Sequence, residues 1–200
     1  MGDPKFLRRT YETPKHPWEQ TRMDEERVLL KEFGLSNKRE LWKAQSLLRN
    51  YRRQARLLQA RLRAKEPQAE KEVRWLLDSL TRQGLLPVGS PTLDDVLALT
   101  PKALIERRLQ WLVFAKGLAT STKAARQYIV HGHISVGSHR VTRPGYLVRR
   151  DEEGTIAYDQ YSPLADENHS IRVAIREKAQ PTSPSDVPAP SPSNSPEVTG

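Results

Sequence analysis

Cysteine is absent from all 200 residues of the sequence. Disulfides and thiolate metal sites are therefore excluded, which suits a reducing compartment and removes the cysteine-based zinc knuckle as a route to RNA. Long apolar runs are also missing: no stretch approaches the ~20 residues that a membrane span needs. The opening MGDPKFLRRTYETPKHPW is basic and broken by prolines, unlike a signal peptide. A soluble, cytoplasmic protein is expected. Acid is in deficit as well, with 24 Asp and Glu against 33 Lys and Arg and a net charge of +9. That balance favours a polyanionic partner, nucleic acid or an anionic membrane surface.

Composition and periodicity divide the chain into five segments. Residues 1–23 read as a basic arm, with Arg8, Arg9 and Lys15 among prolines that forbid a continuous helix; it buries too little to order itself unless a charged partner is present. A frayed terminus would look the same. Residues 24–103 read as a helical part. Asp24 is a candidate N-cap for a short helix stopped at Gly34, and Asn37 with Glu40 is a candidate capping pair for a long helix ending before Pro67. Apolar or small residues at Leu41, Ala44, Leu48, Tyr51, Ala55, Leu58 and Leu62 place one stripe on that helix. A third helix carries Val73, Leu76, Leu77 and Leu80, and a fourth starts at Thr92 with Asp95.

Residues 104–150 read as a compact module. One helix spans Lys102 to Lys116, a second runs from Thr122 to His131, and short strands follow at Ile134, Val136, Val141, Leu147 and Val148. Residues 151–180 are expected to return to the helical part through a strand at Ile171, Val173 and Ile175, where apolar positions alternate. Residues 181–200 form a Pro/Ser tail expected to be disordered. The four tryptophans, Trp18, Trp42, Trp75 and Trp111, are scattered and read mostly as core or anchor residues.

Two sites carry chemistry. On the long helix, Arg49, Arg52, Arg53 and Arg56 belong to a run of cations with no acid between Leu41 and Lys65. A merely solvated helix face usually mixes both signs, so this one calls for phosphates, which the planar guanidinium fork meets well. A surface-seeking membrane helix or a short coiled coil is the competing reading. In the module, Arg107 and Arg108 open one helix and Lys116 closes it. Thr120, Ser121, Lys123, Arg126 and Gln127 sit at the start of the next, whose free backbone amides add partial positive charge. The turn His131-Gly132-His133 brings imidazoles beside the same surface, and Arg140 lies on the hairpin.

The run RRLQWLVFAKGLATSTKAARQYIVHGHISVGSHRVTRPGYLV, Arg107 to Val148, resembles the S-four RNA-binding module. With the opening GDPKFLRRTYETPKHPW and the helical part, residues 2–178 resemble the archaeal and eukaryotic type of the S-four family of small-subunit ribosomal proteins. The resemblance implies direct binding to small-subunit ribosomal RNA, nucleation of assembly of the subunit body, and a contribution to translational accuracy with neighbouring ribosomal proteins. The Pro/Ser tail departs from the family pattern.

Enzymatic alternatives fare poorly. GHISVGS, residues 132–138, mimics the glycine spacing of a phosphate loop but lacks the lysine. His131 and His133 have no third ligand nearby in sequence, and Asp94 with Asp95 fits helix capping better than acid-base catalysis. An RNA-modifying enzyme would need a catalytic domain for which too little chain is left, and a membrane adaptor would need apolar anchors that the helical core consumes. No cofactor, metal, membrane or small-molecule substrate is expected. The expected fold is α+β: mainly helical, with an inserted helix-helix-small-sheet module, a basic N-terminal arm and a disordered C-terminal tail.

Overall fold

A computed structural model describes residues 9–179. Arg8 and the expected Pro/Ser tail lie outside these residues. Helix α1 (Gln20–Glu32) leads to the long α2 (Lys38–Arg63) and to α3 (Pro67–Arg82). Short helices α4 (Leu93–Ala98) and α5 (Pro101–Glu106) follow. The module is built from α6 (Leu109–Ala115), α7 (Thr122–Val130), β1 (Ile134–Val136) and β2 (His139–Arg140). The chain continues through α8 (Arg150–Glu153), β3 (Ile156–Tyr158) and α9 (Ser170–Ala179). The three strands form one antiparallel sheet in the order β2-β1-β3, with Ile134 opposite Tyr158 and Val136 opposite Ile156. None of the helices is long and apolar enough to cross a membrane, among the described residues.

The α2 stripe behaves as its spacing predicts. Leu41, Ala44, Leu48, Ala55 and Leu58 are buried, and helix after helix packs on that face. Towards the start of α2, Phe33, Leu41, Ala44, Leu104 and Ile105 form one cluster; further along, Ala55, Leu80, Leu86 and Val96 form another. The module has its own core of Leu109, Leu112, Val113, Ala125, Ile129, Ile134, Val136, Val148 and Ile156. A β-strand period of two sends Ile134 and Val136 to this core and leaves Ser135 between them at the surface.

Several expectations are corrected. The segment 171–175 is helical, not a strand: Ile175 is buried while Val173 is 41% exposed, so alternation over five positions imitated a strand where a helical stripe exists. The third strand comes instead from Ile156–Tyr158. The helix expected over 102–116 is broken at Arg107 and Arg108. There the backbone opens to φ −73°, ψ 143° at Arg108 and pairs with the chain at 146–148, through Leu109 N to Tyr146 O (2.8 Å) and Val148 N to Arg107 O (3.0 Å). Leu147 thus forms an isolated bridge with Arg108, not a strand. Asp24 lies inside α1, which starts at Gln20, and Asn37 makes no side-chain cap. By contrast, Thr92 and Asp95 form a reciprocal capping box, and the backbone and hydroxyl of Thr92 hold the Asp95 carboxyl below its usual range. Trp42 and Trp111 are packed, but Trp18 and Trp75 are exposed. The arm is not free along its whole length, since Glu12 N donates to Ser46 Oγ (3.0 Å) and Tyr11 lies 6.1 Å from Trp42.

Gly34 joins the helical part to the module. Its φ is +61°, and a Cβ there would fall 2.5 Å from Thr122 Oγ1 at the start of α7. The buried amide of Gln110 spans the same junction, donating to Phe33 O, Gly34 O and Thr122 O at 2.9–3.2 Å. Gly34→Ala is expected to cost about 2 kcal/mol, from left-handed strain plus overpacking, measured by urea denaturation. An unchanged midpoint would show that the junction yields freely.

Candidate nucleic-acid interface

The acid-free region of α2 forms a continuous basic stripe. At 100° per residue, Arg49, Arg52, Arg53, Arg56 and Arg63 fall within an arc of about 100° that flanks the core-facing side of the helix. Arg49, Arg53 and Arg56 are exposed, while Arg52 sits at the edge and donates to Leu99 O. An open groove runs along the stripe, lined by Gln45, Leu48, Arg49, Arg52, Arg56 and Pro101. Arg49 also pairs with Glu12 of the arm. Arg9 stacks over Tyr11 at 5.4 Å, and Lys15 is exposed. Cations of the arm and α2 are therefore brought close by Tyr11 and Glu12 packing on that helix.

Within the module the sequence-selected residues separate into two groups. Lys123 and Gln127 are exposed on α7, and Ser121 caps that helix by accepting from Ala124 N (3.2 Å). Thr120 is half-buried beside the cap, and the Lys123 side chain is exposed at the start of α7. Lys116 is exposed and donates to Glu153 O. His133 is half-buried, with Nδ1 2.8 Å from Ser162 Oγ.

The arginines form the second group, and most are committed inside the protein. Arg108 is only 8% exposed and pairs with Glu40 at 2.9 Å, so the structure places it inside the protein and not on the exposed basic surface where the sequence puts it. Arg107 pairs with Glu153 (2.7 Å) and donates to Val148 O (3.1 Å), so it fastens α8 to the helix break. Arg126 meets Glu40 at 2.7 Å and Gln110 Oε1 at 3.2 Å but keeps part of its guanidinium at the surface. Arg140 is half exposed and held by Asp159 at 3.0 and 3.2 Å. That guanidinium and the Tyr161 amide hold the Asp159 carboxyl below its usual range.

Glu40 was missed as a site residue, although it organises this face. Burial alone would raise its pKa. Hydrogen bonds from Arg126 and Ser36 and the charges of Arg126 and Arg108 overcome that and hold it below the ordinary glutamate range. A sequence signal existed, since Glu40 is the last acid before the acid-free run of α2. Gln110 had no local signal, because its partners lie at 33–34 and 122. Among the described residues, no cluster of three or more His, Asp or Glu is placed to hold a metal ion.

The geometry provides exposed guanidinium and ammonium groups on a rigid scaffold, and the comparisons supply their context. Residues 107–153 match the S4 domain family. The small ribosomal subunit protein uS4 of Thermoplasma acidophilum is 50% identical over 180 residues, 90% of each chain. That of Picrophilus torridus is 51% identical over 175 residues, covering 88% of this chain and 95% of its own. The chain belongs to the uS4 family. The uS4 protein of Methanococcus aeolicus fits the same pattern, at 50% identity over 172 residues. These are archaeal-type uS4 sequences, and the family is one of ribosomal proteins, not enzymes. The S4 match runs past Val148 to Glu153, taking in α8 and with it the carboxylate that anchors Arg107.

Proposed function

We propose that this uS4-family chain is a structural constituent of the small ribosomal subunit that binds small-subunit ribosomal RNA directly. The observation that carries this reading is the α2 stripe, whose exposed arginines have no acid on their own helix from Leu41 onward. Phosphates are the counter-charge suited to it, and folded RNA is recognised largely through backbone and shape because its major groove is too narrow for side chains. Contacts come from Arg49, Arg52, Arg53 and Arg56 on α2, and from Lys116, Thr120, Ser121, Lys123, Gln127 and His133 in the module. Arg9 and Lys15 extend the surface, and Arg126 and Arg140 contribute their free edges. Arg107 and Arg108 act from within, by setting the shape of the module.

On the same reading the protein binds early, nucleates assembly of the subunit body, and contributes to translational accuracy with neighbouring ribosomal proteins in the cytoplasm. Gradient sedimentation of a cell extract tests the first step. The protein is expected to migrate with small subunits, and with the naked small-subunit RNA after reconstitution. Free migration under both conditions would reject the assignment.

A further inference from the structure

Three of the five histidines in the chain converge on one cleft. His131 comes from the C-cap of α7, His133 from the turn into β1, and His169 from the residue preceding α9. The rings of His131 and His133 lie 6.2 Å apart, and Tyr128 meets His133 edge-on at 6.4 Å. His169 was not singled out by sequence, because only the fold of the chain after β3 brings it to the module.

The protein already engages one nitrogen on two of these rings. His133 Nδ1 lies 2.8 Å from Ser162 Oγ, and His169 Nδ1 accepts from Ile171 N at 3.3 Å. Nε2 is therefore the nitrogen each has available for a ligand. Gln127 adds an amide on the same wall, while Leu164 and Ile171 supply an apolar floor. The cleft measures about 460 Å³, within the usual range for small-ligand sites.

No carboxylate lines the cleft, which disfavours a cation and favours an anion. The neighbouring acids are mostly neutralised. Asp159, behind His133, is paired with Arg140, and Glu167, before α9, is paired with Arg176 at 3.0 Å. Arg172 of α9 lies over the Tyr158 ring at 5.2 Å, leaving Asp166, an exposed residue, as the nearby carboxylate without an ion pair in the described residues.

We propose that this cleft is a nucleotide subsite for RNA. A phosphodiester lies against the imidazole Nε2 edges, and an unstacked base packs on Tyr128 and the apolar floor. Its hold tightens as the imidazoles take up protons, because each then donates a charge-assisted hydrogen bond. This rests on the RNA-binding reading above and assigns it a position and a pH dependence that the arginine stripe lacks.

The test measures affinity for small-subunit ribosomal RNA at pH 5.5 and pH 8, at fixed ionic strength. The parent protein is expected to bind about tenfold tighter at the lower pH, the worth of roughly one charge-assisted hydrogen bond. The double variant His131→Gln, His169→Gln is expected to show about threefold or less. His139→Gln, on the exposed hairpin outside the cleft, keeps the parental ratio. A double variant with the full parental response, or a His139→Gln variant that loses as much, overturns the proposal. If no protein binds this RNA at either pH, the RNA-binding reading itself fails. In the unmodified protein, imidazole resonances of His131 and His169 are expected to shift when a short single-stranded oligoribonucleotide is added, while that of His139, outside the cleft, stays in place. Unmoved His131 and His169 signals would likewise overturn it, whether or not the double variant folds.

Discussion

Replacing Glu40 with Gln is expected to lower the free energy of unfolding by about 3 kcal/mol, seen as an earlier urea midpoint with an unchanged slope. Glu40 reaches from the first turn of α2 to two arginines of the module, Arg108 on the helix break and Arg126 on α7. Arg108 is nearly inaccessible, so removing its counter-charge strands a cation where water cannot solvate it. Breaking such a pair costs about 3–5 kcal/mol, and the partial exposure of Arg126 places this case at the low end. A Gln there keeps one accepting oxygen but turns the other into an NH2 donor that faces an arginine, so the loss reports the missing charge together with a missing acceptor.

The same carboxyl gives a pH signature. Its folded-state pKa is depressed, so its contribution is complete above the ordinary glutamate range and is lost as pH falls through the lower folded value. The parent is expected to lose stability on acidification below about pH 4.3 more steeply than the Glu40→Gln variant. Glu26, Asp95, Asp159 and Glu167 are also depressed, but they are common to both proteins and cancel in the difference. Parallel acid curves for the two proteins would show that Glu40 does not hold the module to the helical part.

Where one element explains its own residues, the sequence was readable. The α2 stripe, the Thr92 cap, the stop at Gly34 and the strand at Ile134–Val136 all follow from local period and turn chemistry, whereas the strand expected at Val141 falls just before it, at His139–Arg140. The errors arise where distant chain decides the outcome. Ile105, Leu109 and Leu112 keep helical spacing across the break at 107–108, because the break serves the backbone of residues 146–148, which no local pattern registers. Ile171, Val173 and Ile175 alternate, yet they had no strand to pair with, while β3 found β1.

The candidate site divides along the same line. A count of basic residues locates a cationic region but cannot say which cations are already paired. Arg107 and Arg108 look like Lys123 in sequence and differ from it only through Glu153 and Glu40, 46 and 68 positions away. The charge-rich module is thus partly an internal electrostatic lattice. Its outward charge is carried by fewer residues than the sequence suggests, which shifts weight to α2.

Combining Arg49→Ala with Arg53→Glu and Arg56→Glu is therefore expected to lower affinity for small-subunit ribosomal RNA by about three orders of magnitude near 0.1 M salt, with the protein still folded. Each lost phosphate contact removes about 0.7 to 0.9 from the slope of log affinity against log salt, so the slope is expected to fall by about 2 to 3. Lost charge-assisted hydrogen bonds, each worth roughly tenfold, account for most of the change, and the two reversed charges add repulsion. Stability is spared because Arg53 and Arg56 are exposed without ion pairs among the described residues, and Arg49 gives up only a surface pair with Glu12. Position is separated from net charge by a second variant with the same charge change on α3: Lys71→Glu, Arg74→Glu and Arg82→Ala, all at exposed sites. If phosphates seat in the groove beside α2, the α3 variant loses only the long-range component, which screening over about 8–10 Å keeps small. Equal losses from the two variants would mean that the RNA responds only to the total charge of the protein, and the assignment of the α2 stripe as its seat would be wrong.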